Sequence, residues 1–238
     1  MNGLVSIGAV IAMLLGVGAI AALVRPGRVR WRWLLAAAAA ILVNDALLTR
    51  VYRTIPDFLP TAEWNWQGKL LALAVTLLVA ALPAIGWRTA GLTLRQAPRS
   101  LVAVVPVTAI YAALFVALAL MRPEDPATPE ALAFQMTMPG IEEESFYRGL
   151  LLLLLERAFA GRRRFLGVDW SLGALLSCAI FGLAHAFSYG DEGFAFEPMF
   201  MALTAFPSLL AVWIRLRTGS VLIPILLHNF GNTIGFLI

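Results

Sequence analysis

The amino-acid sequence predicts an all-α, polytopic membrane protein of about eight transmembrane helices, and three observations carry that expectation. Of 238 residues, 61% are hydrophobic and 13% charged, where a soluble domain carries roughly 45–50% and about 25%. Apolar runs recur at lengths near the roughly 20 residues that a helix needs to cross the hydrocarbon core. Basic residues collect in alternate connections between those runs, as the positive-inside tendency requires.

The first run, residues 3–24, lacks a basic leading region and is too long for a cleaved signal peptide, so it reads as a retained span. The others cover 33–49, 68–87, 101–121, 139–157, 171–188, 197–214 and 219–238. Backbone polar groups in lipid must find partners within their own segment, which favours helices, and the alternating pattern of a barrel strand is absent. The reading is a single transmembrane domain over 1–238, without a motif repeated between its halves and without an appended soluble domain. Only the connection 122–140 has substance. With Pro123, Pro126, Pro129 and Pro139 around an apolar middle, it reads as a stiff connector rather than as a gate or lid.

The connections after the first, third, fifth and seventh runs hold 13 basic residues, among them Arg25, Arg28, Arg30, Arg32 and Arg162–Arg164. The opposite side holds 4, namely Arg50, Arg53, Lys69 and Arg122, beside acids such as Asp57, Glu124, Asp125, Asp191 and Glu192. Both termini are therefore expected to face outward. Trp31, Trp33, Trp64, Trp66, Trp87, Trp170 and Trp213 fall at or near run ends, where an indole sits at headgroup level. The net charge of +4 is dispersed in these short clusters, so the expected partners are membrane lipids and not nucleic acid. The one cysteine, Cys178, lies in an apolar run and reads as a buried packing residue. Seventeen arginines to one lysine, with much alanine and leucine, suggest a GC-rich prokaryotic source and its plasma membrane.

Ionisable groups within apolar runs cost free energy and call for a reason. The fifth run opens with Glu142-Glu143-Glu144 and continues to Arg148. In an α-helix Glu144 and Arg148, four apart, share a face and can pair. Glu143 then points about 100° away and is left for other work, while Glu142 reads as a complement to the helix dipole. The sixth run carries Phe181 and His185, and the eighth carries His228 and Asn232, each pair again four apart. By run direction Glu143, His185, His228 and Asn232 can meet at one depth, in the outer half of the membrane. Asn44 and Asp45 lie toward the outer end of the second run, as supporting groups or as interface residues. An intramembrane protease, a proton-coupled transporter or ion pathway, and a non-catalytic immunity or scaffold protein could each use such groups.

The three motifs, Glu143-Glu144-x-x-x-Arg148, Phe181-x-x-x-His185 and His228-x-x-x-Asn232, resemble those of the CPBP family. This is the CAAX-protease and bacteriocin-processing (Abi) group of intramembrane proteases, related to the Rce1 CAAX endopeptidases. The resemblance covers roughly 100–238 as a catalytic core and leaves 1–99 as additional N-terminal transmembrane helices. It implies an endopeptidase acting on a membrane-associated substrate of CAAX or leader-peptide type, either lipidated or unmodified. Carried over by position, Glu143 activates water with help from His185. His228 and Asn232 stabilise the oxyanion or hold the water, Glu144 and Arg148 organise the site, and Phe181 packs beside His185. Glu143, His185 and His228 could also hold zinc or another divalent metal. The HExxH signature is absent, and the reading leans toward hydrolysis without an obligate metal.

Overall fold

The computed structural model describes residues 2–121 and 126–238. Arg122, Glu124 and Asp125, read above as outer-side charges, and Pro123 lie outside the described residues. Every one of the eight apolar runs is helical. They appear as α1 (Asn2–Val24), α2 (Trp31–Thr49), α3 (Trp66–Ala81), α4 (Ser100–Met121), a π-helix (Gly140–Leu151) continued by α6 (Leu152–Ala158), α7 (Leu172–Ala186), α8 (Pro198–Thr218) and α9 (Leu222–Thr233). A short helix α5 (Pro129–Gln135) precedes the π-helix. It starts where Thr128 accepts a hydrogen bond from Ala131 N, with Pro129 in the first turn.

Four helices, α1, α2, α4 and α8, are long and apolar enough to cross a membrane, while α3 and α7 are shorter apolar helices. At 1.5 Å per residue the 12 residues of α9 reach roughly 18 Å, well short of a hydrocarbon core of about 30 Å. The expected third run ends early, at Ala81 rather than near 87. Pro83 disfavours helical geometry for Leu82, which is extended at ψ 135°.

The all-α expectation needs correction in two places. β1 (Arg162–Phe165) pairs antiparallel with β2 (Val168–Ser171), and β3 (Phe187–Gly190) with β4 (Gly193–Phe196). In the first hairpin Leu166 and Gly167 both adopt positive φ, 51° and 77°, the conformation that lets a two-residue turn follow strand twist.

The chain divides into two units. The first comprises Met1–Ala46 and Leu150–Trp213, the second Leu47–Gly149 and Ile214–Ile238. In the first, α6 packs on α7 and α1 on α7 and β3. Gly173 makes the α6–α7 approach possible, since a Cβ there would collide with the Leu155 carbonyl. Cys178 is buried in α7, as expected, and Asn44 is buried within α2. In the second unit, α4 packs against α9, where Gly231 admits the ring of Phe115. Ala97 N donates to Thr218 O at 2.7 Å and Val221 N to Gly91 O at 3.0 Å, which ties the connection after α3 to the end of α8.

Backbone approach through a small residue is how helices associate in lipid, so Gly173→Ala is expected to destabilise the protein by about 1–3 kcal/mol. A lowered thermal midpoint in detergent would register it. Gly16, with nothing near its Cβ position, is the control: Gly16→Ala should leave the midpoint unchanged or raised.

Candidate active site

The site in the second unit is organised by three successive carboxylates on the π-helix. Glu142 and Glu144 are buried, at 0% and 2% exposure, and Arg148 is buried at 2%. Such groups persist only if cations and hydrogen bonds meet them. The first cation is Lys69 of α3. Its Nζ lies 2.8 Å from Glu142 Oε2 and 2.6 Å from Glu143 Oε1. The second is Arg148, whose Nε is 3.2 Å from Glu144 Oε2, an ion pair by distance rather than an aligned hydrogen bond.

His228 of α9 bridges the remaining oxygens. Its Nδ1 lies 2.8 Å from Glu144 Oε1 and its Nε2 3.8 Å from Glu143 Oε2. A carboxylate can only accept, so Nδ1 carries the proton of that bond. In the neutral ring the lone pair then sits on Nε2, facing Glu143.

The π-helix is positioned by a neighbour that the motif reading passed over. Asn229 Oδ1 accepts from Gly140 N at 2.7 Å, and its Nδ2 donates to Thr137 O at 3.1 Å. One amide thereby satisfies a free donor at the start of the π-helix and an acceptor just before it. Gly140 is required for this approach, because a Cβ would collide with Asn229 Oδ1 and Ile225 O. Asn232 Nδ2 donates to Gln135 Oε1 of α5 at 3.1 Å.

The connection 122–140 is also more than a stiff connector. Glu130 of α5 accepts from Glu63 N, Trp64 N and Trp66 Nε1 at 3.0, 3.2 and 3.1 Å. Phe134 stacks on Trp64 at 5.1 Å and meets Trp66 edge-on at 5.2 Å. These contacts latch α5 to the segment before α3, while Gln135 and Thr137 reach the polar face of α9.

Three sequence expectations change here. Glu143, read as free for other work, is bound to Lys69. Glu142 is not a dipole complement at an interface, because it is fully buried against the same ammonium. Lys69 is a site residue rather than a topology signal. The α-helical geometry assumed for 139–157 hid the first two, and the third had a visible cue: the chain's only lysine stands inside an apolar run.

Glu143, Glu144, Arg148, His228 and Asn232 all belong to the second unit; Phe181 and His185 belong to the first. There the two rings lie 4.6 Å apart, with His185 Nδ1 2.8 Å from Phe181 O. A carbonyl accepts only, so this His also holds its proton on Nδ1 and turns Nε2 outward from the bond. Among the described residues no group of three or more His, Cys, Asp or Glu side chains is arranged to hold a metal ion. On Glu142 and Glu143 the Lys69 ammonium stands where a cation would bind, so the residues present do not fit a metal at that carboxylate pair.

Removing Lys69 leaves buried carboxylates without a counter-charge, so Lys69→Met is expected to cost about 3–5 kcal/mol. Adding Glu142→Gln should recover part of the loss, read by unfolding in mixed micelles; a Lys69→Met protein of wild-type stability would refute the account. A second expectation concerns the latch. Glu130 is held below the ordinary value of 4.5, first by the Glu63 amide and then by the Trp64 amide and Trp66 indole, against a smaller opposing effect of burial. A depressed folded value means that its contribution is present above the ordinary value and lost as pH falls through the lower one. Amide exchange at Glu63 and Trp64 should accelerate across that window, and Glu130→Gln should abolish the pH step.

Residues 126–234, from just before α5 to just past α9, match the family model described as type II CAAX prenyl endopeptidase Rce1-like. No curated protein and no solved structure matches the chain. Lys69 lies outside the matched segment, whereas Glu143, Glu144, Arg148, Phe181, His185, His228 and Asn232 all lie within it. The segment that carries these residues thus matches the Rce1-like family model, in keeping with the CPBP resemblance of its three motifs.

Proposed function

We propose that this protein is a CAAX-type intramembrane endopeptidase in which Glu143 activates the attacking water. The observation that carries the reading is the oriented pair of Glu143 and His228. Their facing atoms, 3.8 Å apart, are too far for a direct hydrogen bond but can both hold one water at about 2.8 Å. Glu144 fixes the imidazole from behind, the arrangement by which a carboxylate orients a working histidine.

Hydrolysis then proceeds by steps these residues can supply. Glu143 takes a proton as the water oxygen attacks the scissile carbonyl carbon, and a tetrahedral oxyanion forms. Donors aimed at that oxygen lower its energy. Asn232 Nδ2 serves once Gln135 releases it, while His228 Nε2 helps to hold the water. The proton held by Glu143 passes to the leaving amine as the C–N bond breaks. His185 keeps the part its motif implies, a second imidazole that assists the water, with Phe181 packed against it. Lys69 and Arg148 hold the carboxylates in place, and the reaction runs without an obligate metal.

The substrate is a membrane-associated peptide or protein, lipidated or of leader type, reached in a prokaryotic plasma membrane. The four long apolar helices together with the shorter ones make up an eight-helix layout with both termini outward.

Cleavage of a pooled library of lipidated and unmodified peptides by protein in nanodiscs tests the reading. Glu143→Gln and His228→Ala should each lower turnover by about 10²–10⁴-fold, and a chelator should leave it unchanged. Undiminished cleavage by Glu143→Gln would remove Glu143 as the base. Glu143-dependent, proton-driven solute uptake by sealed vesicles would replace the protease reading with a transporter.

A further inference from the structure

We infer that an arginine-bearing face of the first unit is a binding surface for anionic lipid headgroups, with the apolar tip of the β1–β2 hairpin seated among them. Two segments far apart in sequence build this face. Arg30 N donates to Ala158 O at 2.8 Å and Ala160 N to Arg28 O at 2.9 Å, around a bridge between Val29 and Phe159. These bonds lace the connection after α1 to the strand that enters β1. The Arg28 guanidinium lies over Gly161, next to the exposed Arg162, Arg163 and Arg164. Two dispersed basic clusters thereby become one.

Charge on this face is left over. Arg162 pairs with Glu156 at 2.8 Å and Arg164 with Asp169 at 3.4 Å. Arg25, Arg28, Arg30 and Arg163 are paired with no carboxylate among the described residues, and all four are exposed. An anionic partner is what such a face lacks.

Position identifies that partner as lipid. Arg25 follows the last residue of α1 and Arg30 precedes the first residue of α2, and both helices are long and apolar enough to span. The face therefore begins and ends where spanning segments leave the hydrocarbon. Trp33 lies at this level beneath two guanidinium groups, Arg32 at 5.3 Å and Arg157 at 4.7 Å, as interfacial indoles do.

The hairpin supplies the apolar element. Phe165 and Leu166 are 63% and 66% exposed, beside three arginines. Their placement is fixed, because Trp213 Nε1 donates to Leu166 O at 2.8 Å. Apolar tips set among basic residues suit the boundary between headgroups and acyl chains.

The inference is independent of the proposed reaction and is tested on the full chain. Leu166→Cys in a Cys178→Ser background, labelled with an environment-sensitive fluorophore, is placed in phosphatidylcholine nanodiscs with and without phosphatidylglycerol. Brighter, blue-shifted emission is expected with phosphatidylglycerol, and it should fall away at raised salt. The Arg25→Ser/Arg163→Ser variant, which breaks no ion pair among the described residues, should lose the shift while keeping its thermal midpoint. Equal emission in both lipids, or a shift that survives the arginine substitutions, would overturn the inference. So would an equal shift on adding inorganic phosphate or RNA to phosphatidylcholine nanodiscs, which would assign the face to a soluble anion.

Discussion

Three carboxylates in a row, placed at the start of an apolar helix, are the constraint from which the second unit is organised. Taking each charge out of water costs several kcal/mol unless a partner offsets it. Glu142 and Glu143 share the ammonium of Lys69, and Glu144 is met by Arg148 and by the Nδ1 proton of His228. Satisfying these groups draws α3, the π-helix and α9 to one place. Helix packing alone has no such specificity in lipid, where tails are as apolar as leucine side chains. The same low dielectric that makes the charges costly makes each pairing directional and strong.

The geometry around them serves the chemistry assigned to the site. Asn229 ties α9 to the entry of the π-helix with both ends of its amide, and Gly140 keeps that junction open. An imidazole fixed on one nitrogen and a carboxylate fixed on one oxygen then face each other at 3.8 Å. On the same helix, Asn232 is engaged by Gln135 of α5, and α5 is latched in turn through Glu130 and Phe134. The donor proposed for the oxyanion is thus coupled to a short helix that covers the polar face of α9. This links α9 to the chain segment that the sequence read as a stiff connector.

Much of the site was legible in the residues themselves. Glu143, Glu144, Arg148, His228 and Asn232 stand out because ionisable and amide groups are rare in apolar runs, and their spacing carried the family resemblance. Lys69 obeyed the same rule but was absorbed into the count of basic residues flanking the runs. Asn229, Gln135 and Glu130 carry no local signal, since their roles depend on partners between 64 and 97 residues away. The hairpins were equally hidden, because four-residue strands in short connections leave no period to read.

Composition and run length alone determined that the chain is helical and made for a membrane, because apolar excess and the need to satisfy backbone groups in lipid admit few other solutions. The order of motifs carried the family resemblance, in keeping with the Rce1-like model that residues 126–234 match. What only the tertiary structure decided is which charges meet. Pairing depends on helix type and on approach between distant segments. An i→i+5 helix in place of an i→i+4 one redirects every side chain along it. The lysine reaching the π-helix from α3 gave Glu142 and Glu143 a shared partner that the sequence did not disclose.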